Sequence, residues 1–64
     1  MSDEIDAMSQ VMSELGPSFD EWATAVWFVA PNGWLQYRAP LDLMRTDLHE
    51  VLAAARADRY VVAG

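Results

Sequence analysis

Trp27-Phe28-Val29-Ala30-Pro31-Asn32-Gly33-Trp34-Leu35-Gln36-Tyr37-Arg38-Ala39-Pro40-Leu41-Asp42-Leu43-Met44 is the stretch on which the fold turns. Pro31-Asn32-Gly33 is a clear break, because proline cannot continue a helical ladder and glycine loosens the backbone. Pro40 suits the first position of a new helix, where its missing N–H would have had no partner anyway. Leu41-Asp42-Leu43-Met44 then predicts one or two turns. Between the breaks, Trp34 and Leu35 begin a short irregular stretch through Gln36, Tyr37 and Arg38. The pattern reads as two helical pieces held at a fixed angle, with Leu35, Leu41, Leu43 and Met44 bridging them.

Towards the N-terminus, Ser18-Phe19-Asp20-Glu21 has capping-box spacing, with Ser18 as the cap and Glu21 reaching back. The helix that follows is expected to bury Phe19, Trp22, Ala23, Val26 and Trp27. Residues 25–30 also have strand propensity, but continuity with the capped start favours helix. Gly16-Pro17 stops an earlier helix over residues 3–15, in which Ile5, Met8, Val11, Met12 and Leu15 recur at helical spacing. Towards the C-terminus, Thr46 or Asp47 caps a last helix, and Leu48, Val51, Leu52 and Ala55 form its inner stripe. Arg56 and Arg59 fall in its last turn, and an uncapped apolar segment from Tyr60 to Gly64 follows. The expected architecture is all-α, a small single domain of three to four short helices. An acidic helix at 3–15 precedes a module at 19–64.

Composition narrows the class. The 64 residues are 53% hydrophobic and include three Trp, more apolar material than so small a domain hides easily. That surplus predicts a partner chain or a homo-oligomer. The absence of Cys excludes disulfides and thiolate metal sites, and one His cannot build a zinc site. No apolar run is long enough to span a membrane, and Met1-Ser2-Asp3-Glu4 is not a basic leader, so a cytoplasmic protein is expected. The net charge of −6 is carried entirely by residues 1–30, through Asp3, Glu4, Asp6, Glu14, Asp20 and Glu21. Direct DNA binding by that half is not expected. Its acidity reads as a solvated helix face, or as a surface that steers a basic partner. Arginine without lysine, ten Ala and one Ile fit the codon bias of a GC-rich genome, actinobacterial or phage.

Chemistry-bearing patterns are not found. His49 falls off the inner stripe of the last helix and reads as an exposed helix residue. Asp3, Asp6 and Glu14 suit helix-dipole and solvent roles. No phosphate loop, zinc spacing or calcium loop is present, so no cofactor, metal or catalytic residue is expected. The three Trp either fill the core or, in part, anchor an interface.

From Ala25 onwards the order of residues resembles the toxin-binding domain of the Xre/MbcA/ParS antitoxins. The elements that carry the likeness are Trp27-Phe28, Pro31-Asn32, Leu35, the bend at Gln36-Tyr37-Arg38, Pro40-Leu41-Asp42-Leu43-Met44 and the closing helix through Ala57. The likeness covers residues 22–64. It implies a non-catalytic module that binds and occludes a RES-type, NAD-consuming toxin enzyme. Trp27, Trp34, Arg59, Tyr60, Val61, Val62 and Gly64 would be the partner-binding residues, and Pro31, Asn32, Leu35, Pro40, Leu41, Asp42 and Leu43 would set the fold. The apolar tail fits a blocking role equally with packing back on its own core.

Two departures stand out. The family's Gly-rich bend is replaced by Gln36-Tyr37-Arg38. The family's N-terminal helix-turn-helix domain has only an acidic helix in its place, so DNA binding is not carried over. The competing expectation is a small self-assembling protein, phage-borne and host-targeting or regulatory, that keeps the antitoxin-domain fold without a toxin. An acidic DNA mimic is a third, resting on the N-terminal charge alone.

Overall fold

The computed structural model describes residues 3–63, with side chains described for 5–61. Three α-helices are present among these residues: α1 (Asp3–Leu15), α2 (Glu21–Val29) and α3 (Leu48–Ala63). Two 3-10 turns, Gly33–Leu35 and Pro40–Leu43, lie between α2 and α3. The all-α expectation holds.

Helix α1 ends where Gly16 enters the left-handed region at φ 82°, and its N–H donates to the Met12 carbonyl at 3.2 Å. The side chain of Arg59 lies directly over this glycine. A Cβ added there would stand 3.0 Å from Arg59 Cδ, so the positive φ favours glycine and a larger residue would also have to push the Arg59 side chain aside. The buried line of α1 is Ala7, Val11 and Leu15, spaced by fours. Ile5, Met8 and Met12 were expected on that face. They are instead 55%, 39% and 51% exposed: α1 packs principally on α3, and Val11 and Leu15 are the α1 residues that join Val51, Ala54 and Ala55 in the core. The alanines on α3 keep its surface low, so the partner side chains can be large. Burying Val11, Leu15 and Val51 completely contributes about 1.5–3 kcal/mol each.

Helix α2 starts later than Ser18 predicts. Asp20 is the cap, and its carboxylate accepts from the Ala23 N–H at 2.8 Å. Trp27 and Phe28 are buried, whereas Trp22 is 78% exposed and Val26 stands on the outer side. The Trp27 and Phe28 rings meet edge to face with centroids 5.4 Å apart. The helix, not the strand, is the form taken by residues 25–29.

Pro40 opens the second 3-10 turn and is fully buried, with Leu43 beside it in the core; Leu41 is 48% exposed and does not bridge the helices as expected. Asp47 precedes α3, its carbonyl accepting from the Val51 N–H at 3.1 Å. Helix α3 runs on to Ala63, so Arg56 and Arg59 lie in its body and not in its last turn. Arg56 Nε donates to Glu14 at 3.2 Å and ties α3 to α1. That guanidinium holds the Glu14 carboxyl below its ordinary range, and Glu14 in turn raises Arg56.

Candidate partner-binding site

Asn32 organises the loop after α2. Its backbone N–H donates to the Arg38 carbonyl at 3.2 Å, and its own carbonyl accepts from Leu35 at 2.9 Å and Tyr37 at 2.8 Å. Its side-chain oxygen accepts from the Trp34 N–H at 2.8 Å and starts the 3-10 turn. Closing so small a loop puts Gln36 and Tyr37 both in the left-handed region, at φ 58° and 65°. The resemblance has glycine-rich sequence at this bend. Here non-glycine residues hold the left-handed backbone that glycine suits, at about 1–2 kcal/mol per residue.

The remaining group of Asn32, its side-chain nitrogen, donates to Asp58 Oδ2 at 3.1 Å. Trp27 Nε1 donates to the same oxygen at 2.6 Å, and Trp34 Nε1 to Oδ1 at 2.9 Å. One carboxylate of α3 thus gathers two indoles and a carboxamide from α2 and the loop. A carboxylate is acceptor-only with about four lone-pair sites, which suits a cluster of donors. Bonds to an ionised acceptor are stronger than neutral ones, so this clasp fixes the loop against α3. Among the described residues, no buried side-chain polar atom is left without a partner.

Around the clasp lies an open cleft of about 480 Å³, walled by Phe19, Trp22, Trp27, Pro31 and Trp34, with Asp58 as the charged residue among those lining it. Trp34 is 59% exposed, although its backbone and its indole are both held. Trp27 is 8% exposed and faces inwards, so of the two expected partner-binding tryptophans only Trp34 offers surface. Of the residues expected to set the fold, Asn32, Leu35, Pro40 and Leu43 are buried, while Pro31, Leu41 and Asp42 are exposed. Arg59 is half-buried over Gly16, with its guanidinium carbon 5.4 Å from the Tyr60 ring centre. Tyr60 and Val61 continue α3 and are exposed, not folded back on the core. The side chain of Val62, and Gly64, lie outside the described residues.

Residues 16–60 match the family model of the antitoxin Xre/MbcA/ParS C-terminal toxin-binding domain, over two thirds of the chain. The chain belongs to that family. No match was found among curated proteins or among solved structures. The toxin-binding domain so delimited begins at Gly16, leaves the whole of α1 outside and contains the whole Asp58 clasp. Membership carries an antitoxin-like role, binding a protein partner. Within the described residues, no helix of this toxin-binding domain is long and apolar enough to cross a membrane.

Asp58 is the residue that reading the sequence missed. Its position carried a signal: it stands seven residues after Val51 and three after Ala55, on the inner stripe of α3. A carboxylate on a buried stripe needs donors, and the two indoles were available to supply them.

Proposed function

We propose that the chain is a non-catalytic antitoxin module that binds a RES-type, NAD-consuming toxin in the cytoplasm and occludes its active site. The C-terminal segment from Arg59 onwards is the part that enters the toxin cleft, with Arg59, Tyr60, Val61, Val62 and Gly64 as its blocking residues. One observation carries this reading: Tyr60 and Val61 project from the end of a helix rigidly fastened at Asp58, exposing apolar surface with no use inside the fold. Trp34, pinned beside that helix, anchors the contact at its side. Catalysis and NAD belong to the toxin. Adding the protein should suppress NAD consumption by the toxin encoded beside it, and removing residues 60–64 should weaken that suppression; undiminished inhibition by the truncated chain would rule out the tail.

A second reading, self-assembly, is supported by the apolar line that α1 leaves uncovered. Ile5, Met8 and Met12 are exposed, and Met8 shares a groove of about 310 Å³ with Leu41 and Met44. Burial of this line in a homo-oligomer would add to the small core of a 64-residue chain. Light scattering coupled to gel filtration decides it: a strict monomer at micromolar concentrations excludes the oligomer.

A further inference from the structure

Among the described residues, the donors on the Asp58 carboxylate are two indoles and a carboxamide, all neutral. Three of its roughly four acceptor sites are taken, two on Oδ2 and one on Oδ1, which leaves acceptor capacity on Oδ1. It opens on a cleft walled, apart from Asn32 and Gly33, by apolar and aromatic residues, and the exposed indoles of Trp22 and Trp34 stand on its rim. Indole faces attract cations, and do so most strongly where water is partly excluded. Asp20 and Glu21 adjoin Trp22 in sequence, and every charge in residues 1–30 is negative.

We propose that the cleft between Trp22, Trp34 and Asp58 is a receptor for one arginine side chain presented by a protein partner. A guanidinium suits it better than an ammonium, because its planar, weakly hydrated head stacks on an indole while one edge N–H reaches the carboxylate. The contact to Asp58 is through a single N–H, since the remaining acceptor capacity is on one oxygen. The acidic N-terminal half draws the basic partner in, so the association weakens as salt rises. This receptor is separate from the α3 tail and stands whether or not the tail blocks a toxin.

The test uses the whole chain, labelled with nitrogen-15, and no toxin. N-acetyl-arginine amide is titrated while the indole N–H signals of Trp27 and Trp34 are followed. The expected result is a saturable shift of the Trp34 signal at millimolar arginine amide. Binding should fall about tenfold for the citrulline analogue, which keeps the shape and loses the charge. In Trp22→Ala, where an exposed wall is removed, it should weaken about fivefold while the Trp27 signal stays in place and reports an intact fold. Equal binding of the citrulline analogue, unchanged binding in Trp22→Ala, or no saturable shift at Trp34 overturns the proposal. A shift produced merely by concentrating the protein, without any amide, assigns the cleft to a second copy and overturns the separate partner.

Discussion

Replacing Asp58 with alanine should be the most damaging polar substitution in the molecule, and its cost can be worked from the clasp. Trp27 and Asn32 are each 8% exposed, so both lose their acceptor in a place water barely reaches. A stranded buried donor costs about 1–3 kcal/mol. Trp34 is largely exposed and its indole can turn to water, so its loss adds little. The sum is about 2–6 kcal/mol, against a total stability of about 3–10 kcal/mol expected for this chain length. Urea titration followed by far-ultraviolet circular dichroism should show the midpoint falling by about 2 M or more, taking a slope of about 1 kcal/mol/M. Trp34→Phe, which removes the exposed donor, should cost less than about 1 kcal/mol. Trp27→Phe combined with Asp58→Ala should cost clearly less than the two singles added, since both break one bond. A loss below about 0.5 kcal/mol for Asp58→Ala, or strict additivity with Trp27→Phe, would refute the reasoning.

Other substitutions test the remaining features. Glu14 has its folded pKa lowered chiefly by the hydrogen bond from Arg56, so the pair stabilises the fold above the ordinary carboxylate range and the gain is lost as pH falls through the lowered value. Glu14→Gln should therefore flatten the acid side of a stability-versus-pH curve, with a smaller difference in high salt. Tyr37→Gly should stabilise by up to about 1 kcal/mol, because an exposed residue at φ 65° gives way to one that accepts that angle; thermal unfolding reads it directly. Gly16→Ala should lower stability by about 1–2 kcal/mol through the positive φ and the crowding against Arg59. Gly33→Ala, where the new Cβ meets open space, should leave the melting temperature unchanged or slightly raised.

The boundaries were legible in the sequence because they rest on backbone sterics. Gly16-Pro17, Pro31-Asn32-Gly33 and Pro40 stop or start helices whatever surrounds them, and α1 runs over the expected residues 3–15. Which face each helix buries was less legible. The nine residues of α2 are apolar nearly all round, so periodicity could not choose between Trp22 and Phe28; packing against the rest of the core decides. On α1, the apolar line is wider than the surface α3 covers, which left Met8 and Met12 outside. The candidate site was half visible. Trp34 and the Pro31-Asn32 motif stood out as residues, but the carboxylate that joins them is 24 to 31 positions away along the chain and belongs to another helix.

Holding Trp34 at both its backbone and its indole has a consequence for the speed and reversibility of recognition. The rotamer freedom that a surface tryptophan ordinarily surrenders on docking has already been given up in folding. A partner therefore meets a ring that is waiting in place, and association should proceed as a rigid encounter with single-phase kinetics. Loosening the ring, as Trp34→Phe does by cutting its bond to Asp58, should leave the arrival rate nearly unchanged and shorten the residence time.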